Sequence, residues 1–407
     1  MKTDRLEKYA RLIVEVGVNV QKGQTVVINS PVECKDFARF LSDAAYKRGA
    51  GRVTLRWNDE IVMKQFYTYA NDEALEEVPD YIVSQCQYFI DKKAATISVS
   101  APTPGLLKDI EPRKIQLYTK ATSERLDFYR DFLMGNGAQW SIASYPTEAW
   151  AEKVFPDGDA FDRLFDAILA ASRVLPDNDP VAEWREHMEE LAKRNEILNN
   201  HNFAYLRFEN SLGTDLTVGL AEGHIWAGGG EVAKNGVFFA PNIPTEETFT
   251  MPHRNRVNGK VVATKPLNYN GKLIEDFYLI FKDGKVVDFD AGKEKETLKN
   301  LLEVDEGSSY IGEVALIPYD SPISNTGILF YNTLFDENAS CHLALGCAYP
   351  MNLKDSDKMS EEEMEAKGYN KSLVHVDFMF GSADMKITGI KDDGREVLIF
   401  ENGNFVF

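Results

Sequence analysis

Near the end of the chain, His375 and Asp377 lie two residues apart in Leu373-Val-His-Val-Asp-Phe-Met379. Successive side chains on a strand point to opposite faces, so Val374, Val376 and Phe378 share one face while the imidazole and the carboxylate project together from the other. A neutral imidazole nitrogen and a carboxylate oxygen are both ligands for Zn²⁺ and its neighbours, and this spacing presents them as one bite. A strand face wetted by solvent is the competing reading. Glu313, in Tyr310-Ile-Gly-Glu-Val-Ala-Leu-Ile317, is a lone carboxylate inside an apolar strand. Such a group is costly to bury unless a cation or hydrogen bonds meet it, so it marks either a cation site, a salt bridge or an exposed edge. His342 keeps equally apolar company in Ser340-Cys-His-Leu-Ala-Leu-Gly346, and Tyr349 follows seven residues later. A hydrogen-bonded core histidine and a packing aromatic are the ordinary answers there.

Two prolines make Ala240-Pro-Asn-Ile-Pro-Thr-Glu-Glu-Thr-Phe249 a constrained loop. Its paired carboxylates, Glu246 and Glu247, read as wet surface or as a division of labour in which one ligates a metal and the other serves as general base. Taken together, Glu, Glu, His, Tyr, His and Asp in poorly explained positions suit two divalent ions. Oxygen and nitrogen donors without thiolate favour Zn²⁺ or Co²⁺, with Mn²⁺ or Mg²⁺ as further candidates. Of the remaining histidines, His187 and His201 fall on or beside a long helix, and His224 and His253 sit in loop-like stretches read as surface. The chain has no His-Glu-x-x-His, Gly-x-Ser-x-Gly, P-loop or Gly-x-Gly-x-x-Gly. Gly228-Gly229-Gly230 is expected to be a flexible hairpin or bulge rather than an anion cradle.

The segments Asn242-Ile-Pro-Thr-Glu-Glu247, Gly312-Glu-Val-Ala-Leu316, Ala339-Ser-Cys-His-Leu-Ala-Leu-Gly346, Ala348-Tyr349 and Val374-His-Val-Asp-Phe-Met379 resemble the aminopeptidase T and aminopeptidase S family of dinuclear metallopeptidases, the thermophilic metalloproteases. The resemblance runs along nearly the whole chain, with its discriminating motifs between Ala221 and Gly381. It implies that Glu247, Glu313, His342, Tyr349, His375 and Asp377 hold two divalent ions, with no departure at any of the six. It further implies an α/β first domain, a β-rich catalytic domain, a homodimer, and broad removal of N-terminal amino acids from peptides. Two ions would activate a water and polarise the scissile carbonyl. Glu246 is then the expected general base, with Glu313 the alternative if it is not fully engaged as a bridging ligand. Tyr349 is expected either to ligate metal or to donate a hydrogen bond to the oxyanion. Rival readings are another two-metal hydrolase, such as a phosphoesterase or amidase, and a non-catalytic dimeric binding protein.

These residues need elements to position them. Through residue 200 the pattern alternates helical stripes with short strand-like runs: Val26-Val-Ile28, Val53-Thr-Leu-Arg-Trp57, Tyr88-Phe-Ile90, Thr96-Ile-Ser-Val99 and Trp140-Ser-Ile-Ala143. Helices are expected around residues 60–86, 122–134 and 159–172, and a long one after Asp179-Pro180. Strands alternating with helices imply an α/β domain, residues 1–200, with a mainly parallel sheet. After His201, hairpin dipeptides accumulate at Asn235-Gly236, Asn258-Gly259, Asn270-Gly271, Asp283-Gly284, Asp393-Gly394 and Asn402-Gly403. Residues 201–407 therefore read as a mostly antiparallel β domain carrying the metal site, with short helices near Lys293–Leu302 and Ser360–Lys367.

Composition bounds the partners. The chain has 407 residues, 27% of them charged and 44% hydrophobic, which is ordinary for a folded protein. A formal net charge of −19 repels phosphate backbones and anionic lipid, so neither nucleic acid nor a membrane surface is expected as a partner. A charged N-terminal stretch, no apolar run long enough to span a bilayer, and only four scattered cysteines point to a reducing cytoplasmic setting.

Overall fold

The computed structural model describes residues 2–407. They divide into two compact units, one running to Met188 and including Gly230–Pro244, the other made of Glu189–Gly229 and Thr245–Phe407. In the first, β1 (Thr25–Pro31), β2 (Arg52–Asn58), β3 (Ala95–Ser100) and β4 (Trp140–Ser144) pair in parallel in the order β2-β1-β3-β4. Val26, Val27 and Ile28 of β1 are wholly buried, the continuous apolar run expected of a strand covered on both faces. The helix Lys35–Arg48 that links β1 to β2 buries Phe37, Ala38, Leu41 and Ala45 and stops at Gly49, whose left-handed φ of 104° lets its N–H reach back to the last carbonyls.

One expected strand is a helix. Tyr88-Phe-Ile90 lies within the helix Asp80–Asp91, where Cys86 and Phe89 are buried three residues apart and Tyr88 is exposed. The β-prone trio is too short to override the helical stripe that contains it. The stretch 60–86 holds the helices Glu60–Tyr69 and Asp72–Glu76 and the start of Asp80–Asp91, while 122–134 is covered by parts of Pro112–Arg125 and Asp127–Met134. The stretch 159–172 is the helix Ala160–Ala171.

After the long helix Pro180–His201 the chain forms β5 (Tyr205–Glu209) and β6 (Asp215–Leu220) in the second unit. Residues 230–244 then supply a hairpin of β7 (Glu231–Val232) and β8 (Phe238–Phe239), followed by β9 (Asn242–Ile243), which pairs in parallel with β4. A segment well past residue 200 thus completes the first unit's sheet. Two residues are too few to carry a periodicity that sequence could reveal.

The second unit is antiparallel. β11 (Pro252–Val262), β12 (Leu267–Tyr269), β13 (Lys272–Lys282), β18 (Lys386–Ile390), β19 (Glu396–Glu401) and β20 (Asn404–Phe405) join β5 and β6 in the order β12-β13-β11-β6-β5-β18-β19-β20, with β14 (Lys285–Lys293) against β13. A second sheet has the order β10-β15-β16-β17, from β10 (Thr248–Thr250), β15 (Ile311–Leu316), β16 (His342–Gly346) and β17 (His375–Met379). Their shared core includes Phe208, Val218, Val257 and Leu279 from the larger sheet and Val314, Leu343, Leu345 and Phe378 from the smaller. Period-two alternation then sends Glu313, His342, His375 and Asp377 to the opposite face of the smaller sheet.

Five of the six Asn-Gly and Asp-Gly pairs make turns between consecutive strands, and the residue pairs of Asp283-Gly284 (φ 49° and 86°) and Asn402-Gly403 (50° and 73°) both have positive φ. Asn258-Gly259 is the exception and lies inside β11. There Gly259 has φ 118°, and a Cβ would come within 2.2 Å of the Asp215 carbonyl oxygen, so glycine serves close backbone approach rather than a turn. The two expected short helices are Lys295–Leu302 and Glu361–Ala366, the latter with a Ser360–Glu363 capping box. Among the described residues no helix is long and apolar enough to cross a membrane, and all four cysteines are free.

Candidate metal centre

The smaller sheet gathers residues that lie far apart in the chain. Register pairs Ala344 with Asp377 and Gly346 with His375 across β16 and β17, and Ala315 with His342 across β15 and β16. Ligand atoms of Glu247, Glu313 and His342 lie within 4.8 Å of one another, as do those of Glu313, His375 and Asp377. Glu313 belongs to both triads. Its Oε1 is 3.3 Å from His342 Nε2, and its Oε2 is 3.7 Å from His375 Nε2. His342 Nε2 also lies 3.5 Å from Glu247 Oε2, and His375 Nε2 lies 3.3 Å from Asp377 Oδ1.

The backbone fixes both imidazoles. His342 Nδ1 donates to the Glu337 carbonyl at 2.9 Å, and His375 Nδ1 donates to the Cys347 carbonyl at 2.7 Å. With Nδ1 committed as a donor, each neutral ring turns the Nε2 lone pair toward carboxylate oxygens, an arrangement of acceptor against acceptor that needs a proton or a cation between them. Asp377 Oδ1 is buried without a hydrogen-bond partner. The donor set therefore fits divalent cations: oxygen and imidazole nitrogen, second atoms anchored, and one buried oxygen unclaimed.

The electrostatics report the same crowding. Burial pulls His342 down, but the carboxylates of Glu313, Asp377 and Glu247 more than offset it and raise its pKa to about 10. His375 rises to about 9 by the same balance of burial against Asp377 and Glu313. Glu247 is pushed up to about 7, first by burial and then by Glu313 and Asp377 despite the nearby histidines. Tyr349 stacks at a tilt on His375 with ring centroids 4.5 Å apart. Although 43% of the residue is exposed, desolvation of its hydroxyl and the surrounding carboxylates hold the phenol above the ordinary range.

Glu246 lies outside both triads. It is 2% exposed, and its backbone N–H donates to Asn338 Oδ1 at 2.8 Å. Sequence reasoning missed Glu337. Its carboxyl is raised well above the usual value by burial and by Asp377, Glu247 and Glu313, which places a fourth carboxylate beside the cluster. Phe335-Asp-Glu-Asn-Ala339 reads as wet surface in the sequence, and the only clue was its position five residues before His342. His224, read as surface, is buried and bonded through Nδ1 to the Ala221 carbonyl at 2.9 Å. The glycine triplet is also tighter than expected: Gly228 has φ 137°, and a Cβ there would sit 2.2 Å from the Glu247 carbonyl oxygen.

Residues 2–405 match the family described as thermophilic metalloprotease (M29). The chain is 48% identical over 405 residues to aminopeptidase 2 of Geobacillus stearothermophilus, covering 99% of this chain and 98% of that one. It is 46% identical over 408 residues to aminopeptidase AmpS of Bacillus subtilis, covering 100% and 99%. The solved structure of wild-type AmpT from Thermus thermophilus superposes with a TM-score of 0.93 at 37% identity, covering all of both chains. A cluster built of carboxylates and imidazoles, on a chain matched from end to end, thus places this protein in the thermophilic metalloprotease (M29) family.

Proposed function

We propose that this metalloprotease removes N-terminal amino acids from peptides at a two-metal centre held by Glu247, Glu313, His342, Tyr349, His375 and Asp377, with Glu337 as a further carboxylate. The enzyme is a metallo-aminopeptidase, a hydrolase. The observation that carries the stoichiometry is the pair of triads, Glu247–Glu313–His342 and Glu313–His375–Asp377, in each of which the ligand atoms lie within 4.8 Å of one another. Glu313, with one oxygen toward each imidazole, is the natural bridge between the two positions. Bound divalent ions supply Lewis acidity at a carbonyl and lower the pKa of water toward neutrality.

The chain's own groups do the rest. Both oxygens of Glu313 face imidazoles, which leaves Glu246, next to Glu247 in the chain, as the proposed group that accepts the water proton and returns it to the leaving amine. The carbonyl carbon gains a bond to the water oxygen as the peptide C–N bond breaks. Tyr349, packed on His375, either completes the ligand set or donates a hydrogen bond to the developing oxyanion. Arg254 pairs with Glu306 at 3.0 Å and lies over the Tyr310 ring, and Arg256 lies over the Tyr205 ring. Neither is offered as the cation clamp that a phosphoesterase would use. The names of the relatives and the donor set support an aminopeptidase with Zn²⁺ or Co²⁺. Broad specificity, a homodimer and a cytoplasmic setting complete the reading.

Elemental analysis joined to a peptide assay tests it. About two divalent ions per chain, hydrolysis of a peptide with a free N-terminus, loss of that hydrolysis on chelation and no cleavage of an N-acetylated counterpart are expected. A metal-free protein active on aryl phosphates would overturn it.

A further inference from the structure

Asn338 is fully buried, follows Glu337 directly, and belongs to neither triad. Its Oδ1 accepts the backbone N–H of Glu246 at 2.8 Å. Its Nδ2 donates to the Leu334 carbonyl at 3.1 Å and to Glu337 Oε1 at 3.4 Å. One side-chain amide therefore ties the segment that carries Glu246 and Glu247 to the segment that carries Glu337, whose carbonyl in turn fixes His342 Nδ1 at 2.9 Å. The two segments are about ninety positions apart in the chain, and the strand order gives no ladder between them, since β10 pairs with β15 and the 337–339 turn pairs with nothing.

We infer that Asn338 is a positioning residue of the metal centre: it sets the separation of Glu247 from Glu337 and His342 and steers the Glu337 carboxylate by a hydrogen bond to one oxygen. An amide is the side chain that does both, since it offers an acceptor and a donor on one rigid plane. A carboxylate would face the Leu334 carbonyl and Glu337 with an acceptor, and an aliphatic side chain would leave the Glu246 N–H unpaired in a buried place. Outer partners of metal ligands are typically worth 10–100-fold in metal affinity. The inference rests on the two-metal reading, and its test separates the two.

The experiment is titration of metal-free full-length protein with Co²⁺, followed by visible absorption and calorimetry, for wild type, Asn338→Ala and Asn338→Asp, with thermal unfolding of each metal-free protein alongside. Wild type should take up about two Co²⁺. Asn338→Ala should bind 10–100-fold more weakly, with an altered ligand-field spectrum, while its metal-free form retains a cooperative transition. Asn338→Asp preserves the acceptor for Glu246 but replaces the donor by an acceptor and adds a charge beside Glu337, so its Co²⁺ affinity and spectrum should also depart from wild type. If Asn338→Ala does not fold, Asn338→Ser, which is smaller than asparagine and retains an acceptor, carries the comparison. Wild type binding no Co²⁺ defeats the two-metal reading itself. Wild type binding two while the variants match it in affinity and spectrum overturns the role of Asn338 alone.

Discussion

Replacing Glu313 with glutamine removes one charge and one acceptor oxygen without changing shape, at the residue common to both triads. Its oxygens face different imidazoles, at 3.3 and 3.7 Å, so the loss falls on both ion positions together. Losing an outer partner of a ligand weakens metal binding by up to ~100-fold, which serves as a floor for losing a ligand. With free metal at ~100 times the wild-type Kd, wild type gains about 2.7 kcal/mol per site, and a site weakened ~100-fold gains about 0.4 kcal/mol. Over two sites the difference is on the order of 4–5 kcal/mol, or roughly 9–18 °C in melting temperature for a unit of this size. Scanning calorimetry of Glu313→Gln and wild type, with and without metal, reads it directly, and elemental analysis gives the ion count. The variant should lose most of the metal-induced rise, hold fewer than two ions and hydrolyse peptide at least ~10²-fold more slowly. Two ions retained, with an undiminished rise, would refute the bridging role of Glu313.

His375→Ala should abolish metal-dependent cleavage of an aminoacyl amide while far-ultraviolet circular dichroism stays unchanged, because the imidazole lies on the face of β17 away from the core; full activity would count against the assignment. In the metal-free protein, His342 and His375 have pKa values raised to about 10 and 9 by neighbouring carboxylates, against burial. Their contribution to stability is then complete below pH ~6.5, the unfolded value, and is lost as pH rises through 9–10. The metal-free protein should melt at lower temperature across that window, and a flat profile would contradict it. Metal must displace those same protons, so calorimetry in buffers of different ionisation enthalpy should show proton release at pH 7 and tighter binding at higher pH, and no release would contradict it. Gly346→Ala forces a Cβ to within 2.0 Å of the Val374 carbonyl at φ 104°, beside His375 in register. It should cost about 1–3 kcal/mol by chemical denaturation and weaken metal binding, whereas a neutral result would mean that the strand pair yields.

Much of the centre was legible because its residues break the pattern around them. A carboxylate between Gly312 and Val314, or His375 and Asp377 between Val374, Val376 and Phe378, conflicts with a strand that otherwise reads as core, and such conflicts concentrate where chemistry is done. Glu337 was illegible for the opposite reason: among Asp336 and Asn338 it conflicts with nothing, and only tertiary packing brings it to the cluster. The parallel sheet was readable from Val26–Ile28 and its successors, whereas β9 was too short to announce itself. Tyr88-Phe-Ile90 shows local β preference yielding to a helical stripe, and Asn258-Gly259 shows that a hairpin dipeptide can serve a close crossing of strands instead.

Because Leu343, Val376 and Phe378 interleave with His342, His375 and Asp377 on β16 and β17, a slip of β17 by one residue would drive an imidazole and a carboxylate into oil and turn valine and phenylalanine outward. No such mispaired chain can assemble both triads. The donor set and the apolar core of this sheet are therefore two readings of one strand alignment, and neither can be had without the other.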